Sequence, residues 1–160
     1  MNKEENKKYW ALILGASSGF GGATAMKLAE DGYNIIGVHL DRQSTMPNVE
    51  KIINHIKSQQ REAIFYNVNA ADQFKRVEIA KELKEKLNGE PVIKVLMHSL
   101  AFGTLKLFIP KTDEQTITHA QMEMTLDVMA HSLVYWVQEI HLNKLLANNR
   151  EWCMVTSFII

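Results

Sequence analysis

Residues Leu12 to Asp41 read LILGASSGFGGATAMKLAEDGYNIIGVHLD, and this stretch decides the fold. An apolar run, Trp10 to Leu14, is short and nearly continuous, as in a strand covered on both faces. A glycine-serine turn follows. The spacing then becomes helical, with Gly22, Ala25, Met26 and Ala29 on one side, before a second apolar run, Ile35 to Leu40, ends in the acid Asp41. Gly15, Gly19 and Gly21 give G-x-x-x-G-x-G where the first strand enters the first helix. Glycine takes positive φ and admits a ligand close to the backbone, and the free N–H groups at a helix start attract an anion. Ser17 and Ser18 add hydroxyl donors, so a diphosphate is the natural guest. Asp41 stands twenty residues after Gly21, where a carboxylate can accept hydrogen bonds from an adenosine ribose.

The same alternation continues outward. Ala63 to Val68 and Val92 to Met97 are further strand-like runs. Val49, Ile52, Ile53 and Ile56, and then Val77, Ala80, Leu83 and Leu87, carry helical spacing between them. A last helix is predicted over Thr116 to Ala147, with Leu126, Met129, Ala130, Leu133, Val137 and Ile140 on one stripe, followed by a fifth apolar run, Trp152 to Ile160. Strand-helix alternation implies right-handed βαβ units. The fold class is therefore α/β, a Rossmann-type doubly wound parallel sheet with helices on both faces and about five strands. No linker, repeat or low-complexity tract divides residues 1–160, so one dinucleotide-binding domain is expected.

Composition narrows the partners. The 160 residues are 46% apolar and 22% charged, ordinary for a soluble globular domain. Eighteen basic residues balance eighteen acidic ones, which gives no reason to expect nucleic acid or an acidic membrane as partner. The N-terminus MNKEENKKYW has no apolar core, and no run approaches the length of a membrane span. With Cys153 the single cysteine, a reducing, cytoplasmic setting is expected. The six histidines include no i, i+4 pair and no H-E-x-x-H, so no metal site is expected.

The turn GASSGFG, including Phe20, resembles the cofactor turn of the short-chain dehydrogenase/reductase family, and the resemblance runs from Tyr9 to Ile160. That family commonly has an acid and a hydrophobic residue after the third strand and Asn-Ala-Gly after the fourth. Here those places read YNVNAAD and MHSLAFG. The resemblance thus implies adenine contact by Asn67 and Val68, with an amide replacing the acid, and cofactor contact by His98, Ser99 and Leu100. HSLAF and the later MVTSF are similar to the enoyl-acyl-carrier-protein reductase branch, which would imply fatty acid metabolism, although the cofactor turn follows the general family pattern. Two catalytic positions are implied: Ser157 to orient a substrate carbonyl, and Asp127 where the family often has an Asn that supports a proton-relay water. The cofactor is NAD or NADP. Arg42 could pair with a 2′-phosphate while Asp41 would repel it, and the balance leans to NAD.

Family members move the substrate proton with a tyrosine whose pKa a lysine lowers, four residues later or at a longer spacing in the enoyl-reductase branch. Neither spacing occurs after Tyr9, Tyr33, Tyr66 or Tyr135. The chain is therefore expected to be the N-terminal, cofactor-binding part of a longer NAD(P)-dependent oxidoreductase, inactive alone. That full-length enzyme would be a homo-oligomer acting on a small carbonyl or enoyl thioester. Two alternatives stand beside this reading: a non-catalytic NAD(H)-binding module, and a methyltransferase docking S-adenosylmethionine at the same turn.

Overall fold

Apolar side chains on alternate positions of the first strand point to opposite faces, and both faces are covered. The computed structural model describes residues 3–147 and the backbone of 153–156. A short helix, α1 (Lys3–Asn6), precedes β1 (Trp10–Leu14), α2 (Gly19–Glu30), β2 (Asn34–His39), α3 (Met46–Ser58), β3 (Ala63–Asn67), α4 (Gln73–Lys86) and β4 (Ile93–His98). After β4 come a 3-10 turn (Asp113–Gln115), α5 (His119–Leu126), a π-helical segment (Asp127–His131), α6 (Ser132–Leu142) and a four-residue strand, β5 (Cys153–Thr156). All pairings are parallel, in the order β3-β2-β1-β4-β5. This is the Rossmann-type α/β sheet expected. The chain order reverses between β1 and β4, and in such sheets the crevice for a ligand opens at the carboxyl ends of the strands at that reversal.

Two cores follow from the period-2 alternation. Leu12 and Leu14 face one way, onto Ala80 and Leu83 of α4 and Trp136 and Ile140 of α6. Ala11 and Ile13 face the other, onto Ala25 and Ala29 of α2 and Ile52 and Ile56 of α3. α2 buries Gly22, Ala25 and Ala29 and α3 buries Val49, Ile52 and Ile56, as their spacing predicts, whereas α4 buries Ala80 and Leu83 of its stripe together with Arg76 and Ile79, and is started by Asp72, whose carboxylate accepts from the N–H groups of Phe74 and Lys75. That cap satisfies two of the amides a helix start leaves without partners.

The last helix departs from expectation. It spans 119–142, not 116–147, and is interrupted by the π segment. Its buried side is Val128, Ser132, Trp136 and Ile140, while Leu126 of the expected stripe is 40% exposed. The cause is twofold. A π turn holds more residues than an α turn, so the stripe advances by fours through it. The second buried member is also a serine, which an apolar pattern passes over. Of the fifth run, the described part is β5; Ser157 lies outside the described residues.

Candidate functional site

The glycine turn is packed as tightly as backbone allows. Gly15 has φ +89°, and a Cβ there would overlap the Ser99 carbonyl. One at Gly21 would overlap the Gly15 carbonyl, so the turn, the first helix and the loop after β4 interlock through bare backbone. The N–H groups of Gly15 and Ala16 donate to the Val38 carbonyl (2.8 and 3.2 Å), and the Asn48 amide of α3 donates to the Ser17 carbonyl. Gly19, at φ +53°, has open space above it. The Ser18 hydroxyl makes no cap bond to α2, so it takes up none of the first-turn amides that a helix start leaves without an intrahelical partner.

At the end of β2 the chain builds a second fixed point. Asn67 clamps the backbone of Asp41 from both sides: its carbonyl oxygen accepts from Asp41 N (2.9 Å), and its amide donates to Asp41 O (3.0 Å). The Asp41 carboxylate lies 2.9 Å from Nδ1 of His39, and the two side chains are only 13% and 2% exposed. Burial pushes the Asp41 carboxyl up, but hydrogen bonds from Ser17, Thr45 and His39, with the attraction of His39, outweigh it and hold the group below its ordinary range. Asp41 is therefore a carboxylate at neutral pH.

The wall nearest α6 is set by His98. Its Nε2 lies 2.9 Å from the Ser132 hydroxyl, and that hydroxyl donates its single proton to the Val128 carbonyl (2.7 Å). Ser132 must then accept from His98, which makes the ring an Nε2–H donor. Burial pushes the His98 pKa down, against smaller opposing backbone contacts, so the neutral ring is favoured.

These parts enclose one cleft of about 580 Å³. Gly15, Ser17, Ser18, Gly19, Phe20, Asp41, Arg42, Val68, Ser99 and Leu100, all read from the sequence, line it. Gly21, Asn67 and His98 shape it from behind: the first through backbone packing, the second through Asp41, the third through Ser132. Asp127 is not a lining residue; its carboxylate, half exposed, lies 3.7 Å from His131, and its neighbour Val128 takes the place on the wall. Sequence reasoning missed His39, Thr45, Asn48, Ser132 and Phe102. For His39 a signal existed, since positions 39 and 41 share a face at the strand end. Asn48 and Ser132 carry none, because their partners lie far along the chain. Among the described residues no group of three or more His, Cys, Asp or Glu is placed to hold a metal ion, and no helix is long and apolar enough to cross a membrane.

The family described as short chain dehydrogenase matches residues 9–150. The chain belongs to the short-chain dehydrogenase family. Its fold and family are those of NAD(P)-dependent short-chain oxidoreductases. No curated protein matches it. Among solved short-chain dehydrogenases and reductases, a 3-oxoacyl-[acyl-carrier protein] reductase from Brucella melitensis is similar at 17% identity, covering 94% of this chain and 56% of that one, with TM-score 0.72. A short-chain dehydrogenase from Burkholderia cenocepacia in complex with NADP is 20% identical over 86% of this chain and 51% of its own, with TM-score 0.66. An NADH-dependent reductase, A1-R′, complexed with NAD, is 18% identical over 88% and 54%, with TM-score 0.67. At such identities the likeness is one of fold, and this short-chain dehydrogenase chain spans about half the length of each.

Proposed function

We propose that the cleft binds a nicotinamide dinucleotide, NAD(H) in preference to NADP(H), for an oxidoreductase acting on a small carbonyl or enoyl thioester. The observation that carries this reading is the pairing, in one cleft, of a side-chain-free glycine turn with a fixed carboxylate beyond it. The residues fit the group. The space over Gly19 would be narrowed by any Cβ, and the first turn of α2, left uncapped by Ser18, suits a diphosphate. Asp41, ionised and anchored by Asn67, suits the ribose hydroxyls, and Val68 offers an apolar surface for adenine. Ser99, Leu100, Phe102 and Val128 border the opposite end, where they would exclude water from the reacting ring. When bound, the nicotinamide supplies or accepts the hydride. Ser157 is assigned the orientation of the substrate oxygen, and Asp127 the support of a relay water. NADP and NAD complexes among the fold relatives support the cofactor class and leave the choice to Asp41 and Arg42.

A second reading, a non-catalytic NAD(H)-binding module, is favoured by one observation: no tyrosine of the described residues lines the cleft. Tyr9 and Tyr33 are buried in the core on the α2 side, and Tyr135 stacks on Arg76 at 5.0 Å. Isothermal titration of the purified chain with NADH, NADPH and S-adenosylmethionine tests the binding common to both readings. NADH is expected to bind most tightly; binding of S-adenosylmethionine without NADH would overturn the proposal and restore the methyltransferase alternative.

A further inference from the structure

A π turn is uncommon and needs something to hold it, and the turn over Asp127–His131 is held by Ser132. In an α-helix the N–H of residue 132 would donate to the carbonyl of residue 128. Here that N–H donates to the Asp127 carbonyl instead, and the Ser132 hydroxyl takes the Val128 carbonyl at 2.7 Å. Both carbonyls are satisfied, and the turn holds one residue more than an α turn. At the end of β4, His98 fixes the hydroxyl from the other side, donating its Nε2–H at 2.9 Å. Ser132 and His98 are fully buried and neither lines the cleft, so whatever they do for a ligand is done through Val128. We propose that Ser132 is a positioning residue for the nicotinamide end of the cleft: it locks the π turn that sets Val128 on the wall against the ring. This deepens the preceding reading and rests on it.

Among the described residues of α5, the π segment and α6, Val128 alone lines the cleft. Its β-branched side chain is stiff, so it offers a flat apolar wall where its backbone puts it and nowhere else. That placement is a matter of helical register. Without the hydroxyl, the N–H of residue 132 is free to return to the Val128 carbonyl and restore an α turn. The segment before it would then rotate about the helix axis by about one residue's step, and Val128 would leave the wall. The remainder of the site is insulated from such a rotation. The diphosphate and ribose positions are built from Gly15 to Phe20 and from Asp41, which Asn67 clamps, and none of these rests on Ser132. A defect at Ser132 should therefore be felt by a ligand that carries the nicotinamide ring and ignored by one that ends at the adjoining ribose.

The test compares Kd for NADH with Kd for ADP-ribose, which lacks the ring, by calorimetry on the 160-residue chain, Ser132→Ala, Val128→Ala and the double variant. Ser132→Ala is expected to weaken NADH about fivefold, the worth of part of an apolar side-chain contact, and to leave ADP-ribose within about twofold. Val128→Ala should show the same split, and adding Ser132→Ala to it should cost NADH nothing more, because the serine acts through the valine. A merely structural serine would move both ligands alike. Hydrogen exchange on the wild-type chain needs no variant: NADH should slow the amides of residues 127–132 more than ADP-ribose does. Equal losses for the two ligands, additive losses in the double variant, or equal protection of those amides would overturn the proposal while leaving the cofactor site intact. Failure of the wild-type chain to bind either ligand would overturn both.

Discussion

Asp41 is fixed at both ends, its backbone by Asn67 and its carboxylate by His39, and its removal should be read in cofactor choice before stability. Asp41→Ala is expected to weaken NADH by about 1.5 to 3 kcal/mol, the usual worth of a charge-assisted hydrogen bond, and to improve NADPH, with Arg42 then free to meet the phosphate. An unchanged ratio by calorimetry would show that the acid is not the selector. His98 makes a different prediction. Its folded pKa lies below the unfolded value near 6.5, so the unfolded chain binds more protons and stability is lost as pH falls through and below that value. The melting temperature should drop between pH 7.5 and 5.5, and drop less in His98→Gln, which can still donate to Ser132 but takes no proton. Equal drops in the two proteins would show that another group carries the pH dependence. Single residues were legible where chemistry and spacing coincide, as in Gly15 and Asp41. Asn67 was read by position as an adenine contact; its bonds to the backbone of Asp41, 26 residues back, are a further role that no local pattern reveals.

The glycine turn separates steric need from conformational need. Gly21 has an ordinary φ but no room, whereas Gly19 has room and a positive φ. Gly21→Ala should therefore cost about 1 to 3 kcal/mol, or more, because backbone must yield, and should abolish dinucleotide binding by shifting the turn. Gly19→Ala should cost only the left-handed penalty, about 1 to 2 kcal/mol. Urea unfolding of both variants checks the order, and a costlier Gly19→Ala would refute it. β1, α2, α3 and α4 were legible to within a few residues because each pairs an apolar periodicity with a clear break. The α5–π–α6 stretch was not, since its registration depends on Ser132 reaching His98 across 34 residues, a bond that forms only once β4 is in place. That shift also decides which of Asp127 and Val128 meets the cleft.

For the molecule as a whole, binding and turnover should come apart. A positioned acid is typically worth 10² to 10⁴ in the rate of a reaction that builds charge on oxygen, and no tyrosine of the described residues is in the cleft to serve. The purified 160-residue chain is expected to bind cofactor yet show no NAD(P)H oxidation with ketones, 3-oxoacyl or enoyl thioesters. Substrate-dependent oxidation abolished by Ser157→Ala or Asp127→Ala would refute this and assign the proton chemistry to those two residues. The route from cleft to core offers a further handle, an optical one. Trp136 is fully buried, and its indole N–H donates at 2.8 Å to the carbonyl of Ala70, a residue of the cleft wall. An indole so enclosed should emit toward the blue, and reduced nicotinamide absorbs where tryptophan emits. Energy should therefore pass from Trp136 to a dinucleotide in the cleft, dimming the protein's own light in proportion to occupancy. Trp136→Phe should remove the share of that quenching that Trp136 carries, so the loss of dimming against the wild-type chain, with Trp10 and Trp152 still emitting in both, reads out its part.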